Sequence, residues 1–280
     1  MADDKLIFVG GCMRTGTTIL HRVLCSSPAS HPYISESWYL LDQLRVYAWS
    51  LQRYDVRQKD YFGEKENFDE FTRDILRNHF RMIRTRYAPA TALILKNPEL
   101  TGFFPLLARW FDEARFVVNV RDPRDTIASM VEVGARHRAD GAVTPQSRMG
   151  RDMKKTSNFY LKYYARFLAG GKDLMRKSLV VRYEDLMGET EKTVESLSRF
   201  LDLPLDMEAI RNFDSRTEDS ANLDAEKRKE DWLSRAFWSD LYTKALSTER
   251  IGRYREVLTP EEIAEIETHC AKFNAAVPYW

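Results

Sequence analysis

Four short apolar runs punctuate the chain, and each is followed by apolar positions at helical spacing. The first is Leu6, Ile7, Phe8 and Val9, after which Ile19, Leu20, Val23 and Leu24 recur on one helical face. The second is Leu93, Ile94 and Leu95, ended by Lys96-Asn97-Pro98; a helix with Leu106, Leu107 and Trp110 turned inward is predicted over 102–111. The third, Phe116-Val117-Val118-Asn119-Val120, runs through Arg121-Asp122-Pro123-Arg124-Asp125 into a predicted helix over 126–133. The fourth, Ser178-Leu179-Val180-Val181-Arg182-Tyr183, leads into Glu184-Asp185-Leu186 and a helix over 190–201 carried by Val194, Leu197, Phe200 and Leu201. Runs this short suit buried strands rather than helices. Strands alternating with helices predict an α/β fold, a central parallel sheet with helices on both faces.

The stretches between these units are mostly helical in pattern. Trp38, Leu40, Leu41, Leu44 and Val46 predict a helix with Ser35 as N-cap and Glu36 in its first turn. Phe68, Phe71, Ile75, His79, Met82 and Ile83 predict an amphipathic helix over 68–87, with Arg81, Arg84 and Arg86 on its solvated face. Residues 53–67 read as a surface excursion. Phe159, Tyr160, Tyr163, Tyr164 and Phe167 are expected in the core on a helix over 156–169. Thr259 as N-cap and Pro260 at the first helical position open a last helix whose buried side holds Ile263, Ile266 and Phe273. Residues 136–155 are basic and loop-like, a surface loop or else one wall of a substrate pocket. Residues 214–231 are dense in mixed charge and nearly devoid of large apolar side chains, which predicts a solvated segment with a lid as its functional reading. The long helical pieces favour one domain over 1–280 rather than two.

Composition narrows the function. With 44% apolar residues a core is assured, and a net charge of +1 gives no global attraction to nucleic acid or membrane. The start, MADDKLIFVGG, lacks a basic region and has four apolar residues before its glycines, so neither a signal peptide nor a membrane span is expected. Cys12, Cys25 and Cys270 are odd in number and widely spaced, which points to reduced thiols and a cytoplasmic setting. The five histidines show no metal-ligand spacing, and no metal is assigned.

The chemistry gathers after the first strand, in Gly10-Gly11-Cys12-Met13-Arg14-Thr15-Gly16-Thr17-Thr18. A strand, a glycine turn and a helix start direct amides and a helix dipole at an anion. Gly11 and Gly16 are separated by four residues, as in a Walker A loop, yet Thr17 stands where that motif has lysine. Arg14 is the fixed cation instead. A γ-phosphate with its magnesium is poorly served by such a loop, whereas a phosphosulfate suits arginine, hydroxyls and amides. Arg121 is a planar donor at the end of the third strand, and Ser129 lies about two helical turns on; together they form a candidate second phosphate site. In a nucleoside-triphosphatase Asp122 would instead be a magnesium ligand. Lys96 stands at a strand end, where α/β sheets bind ligands, although an ordinary strand-end lysine is the plain alternative. Glu36 on its residue context alone is better read as a helix-start carboxylate than as a base.

These blocks together resemble the PAPS-dependent sulfotransferases. GGCMRTGTT resembles their 5′-phosphosulfate loop, FVVNVRDPRDTIASM their 3′-phosphate block, and STERIGRYREVLTPEE the segment that closes over the nucleotide. VRYEDL is similar to the strand leading to the adenine side. The resemblance implies a P-loop-like sulfotransferase architecture, with Arg14, Thr15, Gly16, Thr17, Thr18, Arg121, Ser129, Tyr183, Ser247 and Arg253 binding PAPS. It also implies catalytic roles for Glu36, Lys96 and Arg14. LILKNPEL and the arginine loop look more like the tyrosylprotein and Golgi carbohydrate enzymes than the animal cytosolic branch, since Pro98 stands where that branch has its histidine. In the first group a glutamate shortly after the first helix is the base, and Glu36 matches that place, which reverses the reading from context alone. Those relatives carry a membrane anchor, and none is expected here. Lys192-Thr193-Val194-Glu195 echoes a dimerisation motif of the cytosolic enzymes but lies far from its usual C-terminal place, and the match is treated as chance. The expected reaction is sulfuryl transfer from PAPS to a hydroxyl on a small molecule, carbohydrate or peptide tyrosine, releasing PAP without a metal. The rivals are a P-loop-type kinase or nucleotide hydrolase and a non-catalytic PAP-binding module.

Overall fold

The computed structural model describes residues 4–212 and 246–279. The charged stretch 214–231 lies outside the described residues. Four parallel strands, β1 (Lys5–Gly11), β2 (Ala92–Lys96), β3 (Arg115–Val120) and β4 (Ser178–Arg182), form one sheet in the order β2-β1-β3-β4. Alternation along β1 sends Leu6 and Phe8 to one face and Ile7 and Val9 to the other. The first face packs on helices Trp38–Leu51, Lys65–Arg86, Met153–Leu168 and Pro260–Ala276; the second packs on Thr17–Leu24 and Thr190–Leu201. Burial on both faces is why β1 and β2 read as unbroken apolar runs, whereas β3 carries the buried Asn119 and Val180 of β4 is exposed. The α/β reading with helices on both faces therefore holds.

Because β1 lies between β2 and β3, the chain leaves β1 toward one side and returns on the other. That reversal opens a crevice at the strand C-termini, where open α/β sheets take their ligands. Gly11 pairs in register with Asn119, so the turn after β1 and the Arg121 segment after β3 emerge side by side.

Several local expectations change. The helix after Glu36 begins at Trp38 with Ser37 at the N-cap position, so Ser35 is not the cap and Glu36 lies outside the first turn. The Ser37 amide instead donates to the Lys96 carbonyl at 2.8 Å, tying this segment to the end of β2. The helix after β3 runs from Pro123 to Ala139, past the expected end. Gly134 allows this, since a Cβ there would sit 2.5 Å from the Gln146 carbonyl oxygen. Residues 136–155 are consequently largely helical, with Pro145–Met149 capped by Thr144 and the next helix starting at Met153. The excursion at 53–67 contains helical turns Tyr54–Arg57 and Lys59–Phe62, anchored by buried Tyr54 donating to the Glu64 carbonyl at 2.8 Å. In helix Lys65–Arg86 the buried stripe is Phe68, Thr72, Leu76 and Phe80, while Phe71 and Met82 are exposed. Arg84 is not merely solvated: it donates to the Lys5 carbonyl at 2.9 Å and the Thr91 carbonyl at 3.1 Å. Residues 98–103 form a 3₁₀ turn before helix Phe104–Trp110. The aromatic residues Tyr160, Tyr163, Tyr164 and Phe167 are buried as expected, and Thr259 caps the last helix in a capping box with Glu262. Cys12 and Cys270 are buried thiols. Among the described residues no helix is long and apolar enough to cross a membrane.

Two buried histidines sit behind the first helix turn. His21 is fully enclosed, and burial, then the Lys96 charge, then His31 push its pKa well below the ordinary value. Burial also lowers His31, although hydrogen bonds to the Pro32 and Ile94 main chain partly restore it. Both are lower when folded than when unfolded, so the unfolded chain takes up protons first as pH falls. Stability is then full above the unfolded value of about 6.5 and declines below it, by about 1.4 kcal/mol per pH unit for each histidine that stays neutral. Urea midpoints measured from pH 7.5 to 5.5 are expected to fall in this way, and His21→Phe is expected to flatten the slope.

Candidate functional site

The turn after β1 is held from every side. The Gly11 amide donates to Thr101 Oγ1 at 2.6 Å and the Cys12 amide to the Tyr164 hydroxyl at 2.9 Å. Asn119 Nδ2 donates to the Thr15 carbonyl at 2.5 Å. Gly11 has φ 138° and Gly16 φ 95°; a Cβ on Gly16 would lie 2.6 Å from the Tyr183 ring. Arg14 adopts φ 71°, a left-handed conformation that costs a non-glycine residue roughly 1–2 kcal/mol. Arg121 offsets this by donating to the Arg14 carbonyl at 3.2 Å, and Arg14 Nε reaches Ser129 Oγ at 3.2 Å. Helix Thr17–Leu24 then starts with no side-chain cap and no acidic residue in its first turn, leaving the positive end of its dipole for an anion.

A cleft opens over this turn. It is lined by Arg14, Gly16, Thr17, Thr18, Ser129 and Tyr183, and by the guanidinium-bearing residues Arg121, Arg136, Arg250 and Arg253. Asp125 and Glu132 are its acidic members. Arg121 stacks on the Tyr183 ring at 4.5 Å, its Nη2 donates to the Arg250 carbonyl at 2.5 Å, and Asp125 lies 3.8 Å away. Two main-chain carbonyls thus each take one N–H of the outer nitrogens of the expected bidentate donor. The Nε groups of Arg121 and Arg253 are buried and have no hydrogen-bond partner among the described residues. Arg253 Nη2 is paired to Glu132 at 2.8 Å.

Beside the loop stands a second constellation. Lys96, 1% exposed, donates to Glu36 Oε1 at 2.6 Å and to Thr18 Oγ1 at 3.3 Å. Thr18 therefore belongs to both the cleft and this pair. Glu36 is about one-third exposed at 30%, so its carboxylate is accessible to an outside group while Lys96 is not.

Most residues singled out from sequence converge here: Arg14, Gly16, Thr17, Thr18, Arg121, Ser129, Tyr183 and Arg253 line the cleft, and Glu36 and Lys96 meet at its edge. Thr15 turns inward, its hydroxyl donating to the Cys12 carbonyl at 2.7 Å. Ser247 is not a lining residue; its hydroxyl accepts from the Glu249 amide at 3.2 Å. Asp122, the magnesium ligand of the triphosphatase reading, caps the helix after β3 and pairs with Arg124 at 2.7 Å. Arg124 also reaches Glu267 at 2.7 Å. Asp125 and Glu132 carry no site role in the sequence reading, and Arg136 and Arg250 enter it only within the segments 136–155 and 247–262. The i, i+4, i, i+3 and i, i+4 steps from Asp125 to Ser129, Glu132 and Arg136 are the signal that places those four on one helix face; Arg250 comes from the distant turn before Tyr254. Among the described residues no cluster of three or more His, Cys, Asp or Glu is arranged to hold a metal.

The model of the sulfotransferase family matches residues 7–207. Over 205 residues the chain is 27% identical to Protein-tyrosine sulfotransferase 1 of Danio rerio, covering 72% of this chain and 54% of that protein. The chain thus spans about half the length of that relative. The sulfotransferase domain from the curacin biosynthetic pathway superposes with a TM-score of 0.56 at 15% identity, over 96% of this chain and 97% of that one. Mouse sulfotransferase SULT7A1 complexed with PAP superposes with a TM-score of 0.55 at 13% identity, over 98% and 86%. These two share the fold. The matched span holds the loop, Glu36, Lys96, Arg121, Ser129 and Tyr183, and the chain belongs to the sulfotransferase family.

Proposed function

We propose that this enzyme moves the sulfuryl group of PAPS to an acceptor hydroxyl and releases PAP. The observation that carries the reading is the bridge of Lys96, which joins Thr18 of the anion loop to the Glu36 carboxylate. It puts a fixed cation and an accessible base within one hydrogen bond of each other at the mouth of an anion site. Arg121, Ser129, Arg250 and Arg253 on one cleft fit a nucleotide with a second phosphate, and the Tyr183 ring fits the base side.

In this mechanism Arg14, Thr17 and Thr18, with the loop amides, hold the phosphosulfate. An acceptor oxygen forms a bond to sulfur as the bond from sulfur to the bridging oxygen breaks. The electron pair of that bond leaves with PAP, and the acceptor proton passes to Glu36. Negative charge grows on the bridging oxygen, and Lys96 and Arg14 offset it; fixed charges in a site with little water give such a reaction its strongest stabilisation. Lys96 also aims the Glu36 carboxylate. Acceptors of the hydroxyl class, including a peptide tyrosine, a carbohydrate or a small alcohol, suit this chemistry, and the likeness to a protein-tyrosine sulfotransferase supports testing the first.

Glu36→Gln is expected to retain PAP affinity and lose turnover by roughly 10²–10⁴, the usual contribution of a general base. Sulfuryl gain measured by mass on an acceptor panel supplied with PAPS checks this; an unimpaired variant removes Glu36 from the role. Calorimetry is expected to show PAP binding that does not need Mg²⁺, and no comparable heat with ATP and Mg²⁺. Binding of ATP–Mg²⁺ in preference to PAP would replace this reading with the kinase or hydrolase.

A further inference from the structure

Asp125 is 2% exposed and lies in the first turn of helix Pro123–Ala139. Its two oxygens accept main-chain hydrogen bonds from a distant segment, Oδ2 from the Gly252 amide at 2.8 Å and Oδ1 from the Tyr254 amide at 2.9 Å. Arg121 stands 3.8 Å away and at the same time donates to the Arg250 carbonyl at 2.5 Å. The turn they grip carries Arg250 and Arg253, which line the cleft together with Ser129 of helix Pro123–Ala139. Gly252 has φ 77°, so the turn presents its amides through a conformation that suits glycine. Tyr254 is anchored in addition by Arg124 over its ring at 4.6 Å.

A buried carboxylate is costly unless paired and hydrogen-bonded. Here burial raises the Asp125 pKa, while Arg121 and the two amides pull it back. The group touches no expected reacting atom, so its arrangement answers to something other than the chemical step.

We infer that Asp125 is a positioning residue: by clasping the amides of Gly252 and Tyr254 it sets where Arg250 and Arg253 stand, and thereby the grip on the second phosphate of the nucleotide. The ligand half of this inference rests on the PAP reading above; the clasp itself does not.

The test uses the full chain and Asp125→Asn, which keeps the shape but offers one acceptor oxygen where two amides need one each. Amide hydrogen exchange without ligand is expected to accelerate at Gly252 and Tyr254 while β1 and β3 stay protected. Calorimetry is expected to show PAP binding weakened on the order of ten- to a hundredfold, as for the loss of a charge-assisted hydrogen bond. Adenosine 5′-monophosphate, which lacks the 3′-phosphate, is expected to keep its affinity within about twofold, the scale of distant independent sites. Unchanged exchange at both amides, or equal weakening of the two nucleotides, overturns the inference. If the asparagine variant unfolds, Arg250→Gln and Arg253→Gln are read instead, and the absence of a selective PAP loss in both overturns it. A wild-type protein that binds no PAP sinks the functional reading, and the exchange data then judge the clasp alone.

Discussion

The cleft depends on one guanidinium. Arg121 leaves the end of β3 and joins three otherwise separate parts of the chain: the Arg14 carbonyl of the anion loop, the Arg250 carbonyl of the C-terminal turn, and the Tyr183 ring after β4. Each bond stabilises a part that is unfavourable alone. The Arg14 backbone is left-handed, and the 250–254 turn has its amides drawn to a buried carboxylate. A planar donor with several fixed N–H directions can serve such partners at once, which a lysine cannot. The stack on Tyr183 adds roughly 0.5–2 kcal/mol and fixes the plane of the fork. Arg121 is thus the joint that gives the cleft its walls, with its Nε left unpartnered among the described residues.

Support for that joint comes from the tyrosine helix below it. Tyr160 donates to the Arg121 carbonyl at 2.9 Å, and Tyr164 donates to the Asn119 carbonyl at 3.0 Å while accepting from the Cys12 amide. Both phenols are fully buried, and burial raises their pKa values well above the ordinary range, so they remain neutral donors. The core under the sheet therefore ends in hydroxyl groups that satisfy the irregular backbone where the strands stop. Without them the Cys12 amide and the Arg121 carbonyl would lose these partners, each at a cost of roughly 1–3 kcal/mol. The packed core and the backbone of the cleft meet at these two side chains.

This division explains what could be read from the chain alone. The central strands were legible because burial on both faces makes them near-continuous apolar runs, as Leu6 to Val9 illustrates. The turn after β1 was legible because its residues are adjacent in sequence. The clasp by Asp125, the tie from Arg84 to Lys5, and the hydroxyl of Thr101 on Gly11 span 129, 79 and 90 positions and leave no local pattern. The end of the helix after β3 is hidden at Gly134 because a glycine there looks like a stop, whereas its reason is the approach of the Gln146 backbone. Helix periodicity also misplaces Phe71, whose ring packs against Phe62 at the surface, 5.3 Å away, instead of entering the core.

Glu36 shows how magnitudes decide between two local roles for the same carboxylate. In the first turn of a helix it would gain about 0.3–1 kcal/mol from the dipole. Lys96, however, is an ammonium with 1% exposure at the end of a central strand, and an unpaired charge in that place costs several kcal/mol. Avoiding that cost outweighs the dipole gain. Ser37 takes the N-cap position and donates its amide to the Lys96 carbonyl, and Glu36 is displaced to meet the ammonium at 2.6 Å. The helix forgoes a side-chain cap, and the site gains an aimed carboxylate, 30% exposed on its outer side. Burial of the lysine is therefore what draws an ordinary helix-start glutamate out of the helix and holds its carboxylate at the cleft edge.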